Sequence, residues 1–239
     1  MSEPALVATH SVRFVFFDHG GTLAHIKKNT PEITFEILQE LDYDFSQERV
    51  NRAIASAEAF WDEKHRPLPR GQRSNFEDYY RHALQCIGVQ EDLSAIAEKI
   101  DSEWHDRAGI TIYPDTIPCL EALKRRGLHL GVITQNLRTA EEVKRLHLAR
   151  EGIEQYFSVV ISSESAGYDK PDKRLYLKAT EMAGYSPEEI VHVGDSYELD
   201  VVGARTAGMR GVLLDRSGKS PSYDCETIIS LSAVPLLVD

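Results

Sequence analysis

The spacing of hydrophobic positions changes twice along this chain. Residues 14–17, Phe-Val-Phe-Phe, form an unbroken apolar run, the pattern of a strand buried on both faces in the middle of a parallel sheet. From residue 25 to about 108 the spacing is helical. Thr30-Pro31 reads as a helix start, with Thr30 as N-cap and Pro31 in the first position, and Ile33, Ile37, Leu38 and Leu41 share one face. Ser46 opens a second helix through Val50, Ala53, Ile54, Ala57, Phe60 and Trp61. Ser74-Asn75-Phe76-Glu77 has capping-box spacing ahead of Tyr80, Leu84 and Ile87, and Gly88 is the stop. A fourth helix is expected from about Asp92 through Ile96, Ile100 and Trp104. Together these predict a small bundle inserted behind the first strand.

From Tyr113 onward, strand and helix patterns alternate. A helix over 116–126 stops at Gly127, and the apolar strand 128–133 ends in Thr134-Gln135-Asn136. A helix over 139–148 leads to a strand at 159–161 and then to Tyr168-Asp169-Lys170-Pro171-Asp172, where Pro171 suits the first turn of a helix bearing Leu175, Leu177 and Met182. The strand 190–193 ends in Gly194-Asp195, with Asp200 beyond; a helix over 201–207 stops at Gly208, and a strand at 212–214 closes the series. The prediction is an α/β protein with a doubly wound parallel sheet, residues 11–24 and 109–239 forming the core and 25–108 the helical insert.

Each of four strands ends in, or just before, a polar side chain: Asp18, Thr134, Lys170 and Asp195. Right-handed crossovers put the carboxyl ends of parallel strands on one edge, where ligands of open α/β sheets bind. Asp18 alone reads equally as an Asx turn closing its strand, Thr134 or Asp195 as a helix cap, and Lys170 as a loop cation. Packing gives no reason for all four to coincide. Two aspartates and oxygen-rich turns suit a hard cation such as Mg²⁺, Lys170 can neutralise an anionic transition state, and Thr134 with nearby N–H groups can hold phosphate oxygens.

Composition narrows the partner. The 239 residues are 42% hydrophobic and 27% charged, ordinary for a globular protein, and 27 Lys plus Arg against 38 Asp plus Glu leave a net charge of −11. That charge argues against nucleic acid or an anionic membrane as the main partner. Cys86, Cys119 and Cys225 lack the spacing of a zinc site or a disulfide framework. With no signal-peptide pattern at Met1 to His10 and no apolar stretch of membrane-spanning length, a soluble, cytoplasmic protein acting on a small anion is expected. The stretch 65–73, with His65, Arg66, Arg70 and Arg73, is the one basic loop of the helical insert; it reads as an anion-facing loop or as a solvated turn.

In order, Asp18-His19-Gly20-Gly21-Thr22-Leu23, the strand end at Thr134, Lys170-Pro171 and Gly194-Asp195 with Asp200 resemble the four motifs of the haloacid dehalogenase superfamily, in the branch with a helical cap after the first motif. The resemblance covers nearly the whole chain and implies a Rossmann-like core. It implies a phosphohydrolase of small phosphorylated metabolites, with Asp18 as nucleophile forming an aspartyl-phosphate. Thr134, Gln135 and Lys170 would bind the phosphoryl group, Asp18, the Gly20 carbonyl and Asp195 would hold Mg²⁺, and Asp200 would support them.

One position departs from the pattern. Phosphatases of the superfamily usually carry a second Asp two residues after the nucleophile, and here Gly20 stands there. Glycine keeps the carbonyl for the metal and loses the carboxyl that protonates the leaving oxygen. General acid–base help is worth roughly 10²- to 10⁴-fold, so its loss limits the substrate range rather than abolishing turnover, favouring leaving groups that depart as weak bases. His19 and His65 are the candidate substitute donors. The rival readings are a phosphonate hydrolase using Lys27, Lys28 or Lys64 for a Schiff base, a dehalogenase, a phosphosugar mutase, and a catalytically weak protein that senses a phosphate ligand. Asp195 and Asp200 speak against the dehalogenase, and the missing acid speaks against the mutase.

Overall fold

The first apolar run becomes strand β1 (Phe14–Phe17), with every residue buried. In this computed structural model, which describes residues 11–65, 68, 76–135 and 141–238, β2 (Ala24–His25) follows, then helices α1 (Thr30–Glu40), α2 (Gln47–Lys64), α3 (Phe76–Ile87) and α4 (Leu93–Ala108), and β3 (Thr111–Ile112). The rest alternates: α5 (Thr116–Arg125), β4 (His129–Thr134), α6 (Glu141–Arg150), β5 (Val159–Ser162), α7 (Ser163–Ala166), α8 (Lys173–Ala183), β6 (Ile190–Gly194), α9 (Gly203–Thr206), β7 (Arg210–Leu214), β8 (Glu226–Ile228) and α10 (Val234–Leu237). The described residues divide into two compact units. One holds those up to Leu23, Tyr113–Gln135 and those from 141 onward; the other lies within Ala24–Ile112.

The first unit is built on a sheet of six strands in the order β5-β4-β1-β6-β7-β8, all pairs parallel. This is the doubly wound α/β fold, and β1 lies between β4 and β6 at the point where the strand order reverses. The register aligns Phe17 with Val132 and Val193, so β1, β4 and β6 end on the same edge, β4 reaching furthest, to Thr134. Phe14 and Phe16 pack with Ile133, Ile161, Leu175 and Tyr176 beneath that edge.

The second unit is the helical one. Asn29, not Thr30, caps α1, its side chain accepting from Glu32 N while the Glu32 carboxylate accepts from Asn29 N. Ser46 caps α2 as expected. Asp92 precedes α4 in the left-handed region without a side-chain cap. Ile33, Ile37, Ile54, Trp61, Tyr80, Leu84 and Ile100 form its core. Arg107 reaches Glu40 and Glu103 on neighbouring helical surface. A two-stranded antiparallel ladder, β2 with β3, closes the insert where no strand pattern was evident; two residues are too few to show a period. The expected capping box at Ser74-Asn75, most of the basic loop, Asn136 and Thr139 lie outside the described residues.

Three further details differ from expectation. Pro171 precedes α8 rather than entering it: Asp172 is the N-cap, accepting from Arg174 N, and the Lys170–Pro171 peptide is cis. The turn after β6 is a wide helical one over Tyr197–Val202, capped by Ser196, which leads into the short α9. β8 lengthens the sheet beyond β7, the last strand expected. No helix among the described residues is long and apolar enough to cross a membrane.

Candidate active site

Asp18 leaves the end of β1 buried, its backbone N–H donating to Val193 O of the neighbouring strand. From the segment between α7 and α8, Lys170 reaches across the strand ends and donates to Asp18 Oδ1 and Asp200 Oδ1, each at 2.6 Å. Two sequence-distant carboxylates thus meet around one ammonium. Asp200 is placed by the wide turn after β6 and also accepts from the Ser196 N–H at 3.0 Å and from His192 Nε2 at 3.1 Å.

The two aspartates compete unequally for this positive charge. Burial works against ionisation of Asp200, but Lys170 and His192 outweigh it and hold the carboxyl well below its usual range. Burial also dominates at Asp18, with repulsion from Asp200 and Asp195 added. Lys170 only partly offsets them, so the carboxyl rises from the usual 3.8 to about 6. Lys170 itself is held protonated: burial opposes its charge, and the two carboxylates overcome burial. His192 is wholly buried and shifted toward its neutral form by that burial, which fits Nε2–H as donor to Asp200.

Thr134 ends β4 with its side chain buried, and Gln135 beside it has a buried Oε1 with no hydrogen-bond partner among the described residues. No bond joins either to Asp18 or Lys170 in the structure. Asp195 is solvent-accessible, yet partial loss of hydration, with repulsion from Asp200, raises its carboxyl. It lies against the Gly21 backbone, where φ is +79°. A β-carbon built on Gly20 would meet nothing within 4 Å, so a side chain can start there without a clash.

No cluster of three or more His, Cys, Asp or Glu side chains among the described residues forms a metal cage. A magnesium ion needs none: it takes one or two carboxylates and completes its shell with water and substrate oxygens. Asp18, Asp195 and Asp200 repel one another, with Lys170 bonded to two of them, and hard oxygen donors gathered in this way fit a divalent cation.

Sequence reasoning passed over several residues here. His192 looked like an interior strand residue. His19, named as a candidate substitute donor, is buried and bonded through its two ring nitrogens to Lys144 and Glu151, an array that sequence spacing did not show. Lys144, Leu148 and Glu151 share the spacing of one helical face, and the buried Leu148 between two charges shows that this face turns inward. That spacing was readable; two charges on a polar helix gave no reason to read it.

Residues 12–208 match the family model described as haloacid dehalogenase-like hydrolase. The chain is 31% identical over 212 residues to a glyceraldehyde 3-phosphate phosphatase of Methanopyrus kandleri, covering 86% of this chain and 84% of that one. It is 36% identical over 141 residues to a phosphoserine phosphatase of Thermus thermophilus, covering 59% of this chain and 54% of that one. Among solved structures, a 2-haloacid dehalogenase from Pseudomonas syringae superposes with a TM-score of 0.71 at 26% identity, covering 95% of this chain and 97% of that one. A motif-bearing parallel sheet, a family model spanning most of its length and a relative matched over most of both chains place this chain in the haloacid dehalogenase-like hydrolase family.

Proposed function

We propose that this protein is a Mg²⁺-dependent phosphohydrolase that acts on a small phosphorylated metabolite through an aspartyl-phosphate on Asp18. The observation that carries the reading is the pairing of Asp18 with Lys170: a buried carboxylate, oriented through Oδ1, beside a cation held protonated by two acids. The carboxylate is thereby aligned before substrate arrives, and in-line attack on phosphorus needs little further ordering. Thr134 at the neighbouring strand end would donate to a phosphoryl oxygen. Bound magnesium, held by Asp18, Asp195 and the Gly20 carbonyl, would supply positive charge beside the phosphoryl group. Water then hydrolyses the aspartyl-phosphate. The helical insert, residues 25–108, is read as the cap that selects the substrate.

Gly20 sets the expected scope. Without a carboxyl there, an alkoxide leaving group departs unprotonated, whereas acyl and aryl phosphates need less help. The two relatives are named for glyceraldehyde 3-phosphate and phosphoserine, both alkyl phosphates, so these are the discriminating members of a substrate panel. The phosphonate alternative finds Lys28 and Lys64 engaged with Glu36 and Glu63.

The experiment is phosphate release with Mg²⁺ from acetyl phosphate, p-nitrophenyl phosphate, glyceraldehyde 3-phosphate and phosphoserine, wild type beside Gly20→Asp. Wild type is expected to cleave the first two, and the variant to gain the alkyl esters, since a side chain can start at Gly20 without a clash. Equal wild-type turnover of all four would overturn the leaving-group preference. No release from any of them, with phosphate still bound, would overturn hydrolysis in favour of a phosphate-sensing protein.

A further inference from the structure

Lys144 on α6 is buried, with a fractional exposure of 5%. An ammonium in such a place is costly unless its three N–H groups find acceptors. Among the described residues one acceptor is within hydrogen-bond distance of Nζ: His19 Nδ1, at 2.8 Å. An ammonium only donates, so Nδ1 is the accepting nitrogen and the ring proton sits on Nε2, which donates to Glu151 Oε2 at 2.8 Å. Lys144, His19 and Glu151 thus form a directed array that fixes one histidine tautomer and one lysine orientation. Its histidine is the residue directly after the nucleophile.

The charge on Lys144 is poorly compensated. Burial draws it down to about 8, against the attraction of Glu151 and of Asp18, so the ammonium lies within electrostatic reach of the nucleophile. Lys170, by contrast, is already committed to two aspartates. Among the described residues, a phosphoryl group bringing further negative charge to Asp18 therefore finds in Lys144 a cation with N–H donors to spare.

We propose that Lys144 is a second phosphoryl-binding cation of this site, its two remaining N–H donors taking phosphate oxygens, with His19 and Glu151 as the residues that position it. The assignment rests on the phosphohydrolase reading for the identity of the anion. Recognition would favour a dianionic phosphoryl group over a singly charged carboxylate or halide, because an ammonium acts as a point charge and is drawn more strongly to two negative charges than to one.

The test is calorimetric titration of inorganic phosphate into the full chain, with Mg²⁺ present, alongside thermal unfolding and phosphate release from acetyl phosphate. Lys144→Met keeps the length of the side chain and removes its charge and donors. It is expected to weaken phosphate binding by about tenfold or more, the scale of a hydrogen bond to a charged group, with an unfolding midpoint no lower than the wild type's. Glu151→Gln still accepts from His19 but no longer helps to hold Lys144 protonated, so its phosphate binding is expected to fall below the wild type's and to stay above that of Lys144→Met; binding as weak as that of Lys144→Met would overturn the assignment of Glu151 as a positioning residue. If Met at this position prevents folding, Lys144→Arg against Lys144→Gln makes the same comparison, with retention by Arg and loss by Gln expected. A folded Lys144→Met or Lys144→Gln that binds phosphate like the wild type overturns the assignment and leaves the hydrolase reading intact. A wild type that binds phosphate but releases none overturns the hydrolase reading alone; one that neither binds nor releases phosphate overturns both.

Discussion

Asp195 lies over the bare α-carbon of Gly21: a β-carbon at that position would come within 2.1 Å of Asp195 Oδ2. Gly21 also has φ +79°, in the left-handed region that costs a side chain about 1–2 kcal/mol. Gly21→Ala therefore combines backbone strain with displacement of a carboxylate. It should lower stability by about 1–3 kcal/mol in denaturant unfolding and reduce phosphate release more than stability, with weaker Mg²⁺ activation. Wild-type Mg²⁺ dependence in a stable Gly21→Ala protein would remove Asp195 from the metal site.

Asp18, the proposed nucleophile, is placed at a cost to the fold. The Asp18 carboxyl is raised from 3.8 to about 6, so its contribution to stability is fully present below 3.8 and is lost as pH rises through about 6. Asp18→Asn removes that loss along with the nucleophile. In the metal-free protein the variant should be more stable than wild type at neutral pH, by up to roughly 3 kcal/mol, with the gap closing as pH falls through 6 toward 3.8. Phosphate release should be abolished throughout. Thermal unfolding of both proteins across this range checks the first expectation; residual turnover by the Asn variant would refute the assignment of the nucleophile.

The same shift has a kinetic consequence. Only ionised Asp18 can attack phosphorus, so kcat/KM should fall on the acid side, with a limb near 6 when Mg²⁺ is scarce. A divalent cation beside the carboxylate favours its charged form and moves the limb to lower pH. Profiles at limiting and saturating Mg²⁺ should therefore separate on the acid side and converge above neutrality. Identical limbs would mean that Asp18 and the cation do not meet.

The doubly wound sheet was legible because its buried strands are continuous apolar runs bounded by turns, and these repeat at βα spacing from β4 to β7. β8 was not, since Glu226–Ile228 alternates burial over three residues at a sheet edge. Of the candidate site, Asp18, Lys170 and Asp200 were named from the sequence and meet in the structure. Partners drawn from strand and helix interiors, such as His192 and Lys144, were not. Their side chains carry no turn or motif that separates a polar group at a strand end from one inside an element. Their roles follow from which face is buried, and that is a property of the packed unit.

Arg216 ties the loop after Asp18 to the rest of its unit. It donates through Nη2 to the Thr22 carbonyl at 2.7 Å, makes a two-pronged contact with Asp115 at 3.0 Å, and stacks on the Tyr113 ring at 3.7 Å. Burial pushes the Asp115 carboxyl up, but the bonds from Arg216, Ser230 and Leu231 N–H outweigh it and hold the group ionised. Arg216→Met should leave that carboxylate short of a partner and the Thr22 carbonyl without this donor. A stability loss of about 1–3 kcal/mol is expected, reading lower in Asp115→Asn/Arg216→Met than the sum of the single changes, because the two residues share one interaction. Below the unfolded carboxyl range the penalty should shrink, since a lowered Asp115 contributes stability only above its unfolded value and loses it as pH falls through the folded one. Denaturant unfolding of the four proteins at neutral and acid pH measures both effects, and strictly additive losses would show that Arg216 and Asp115 act independently.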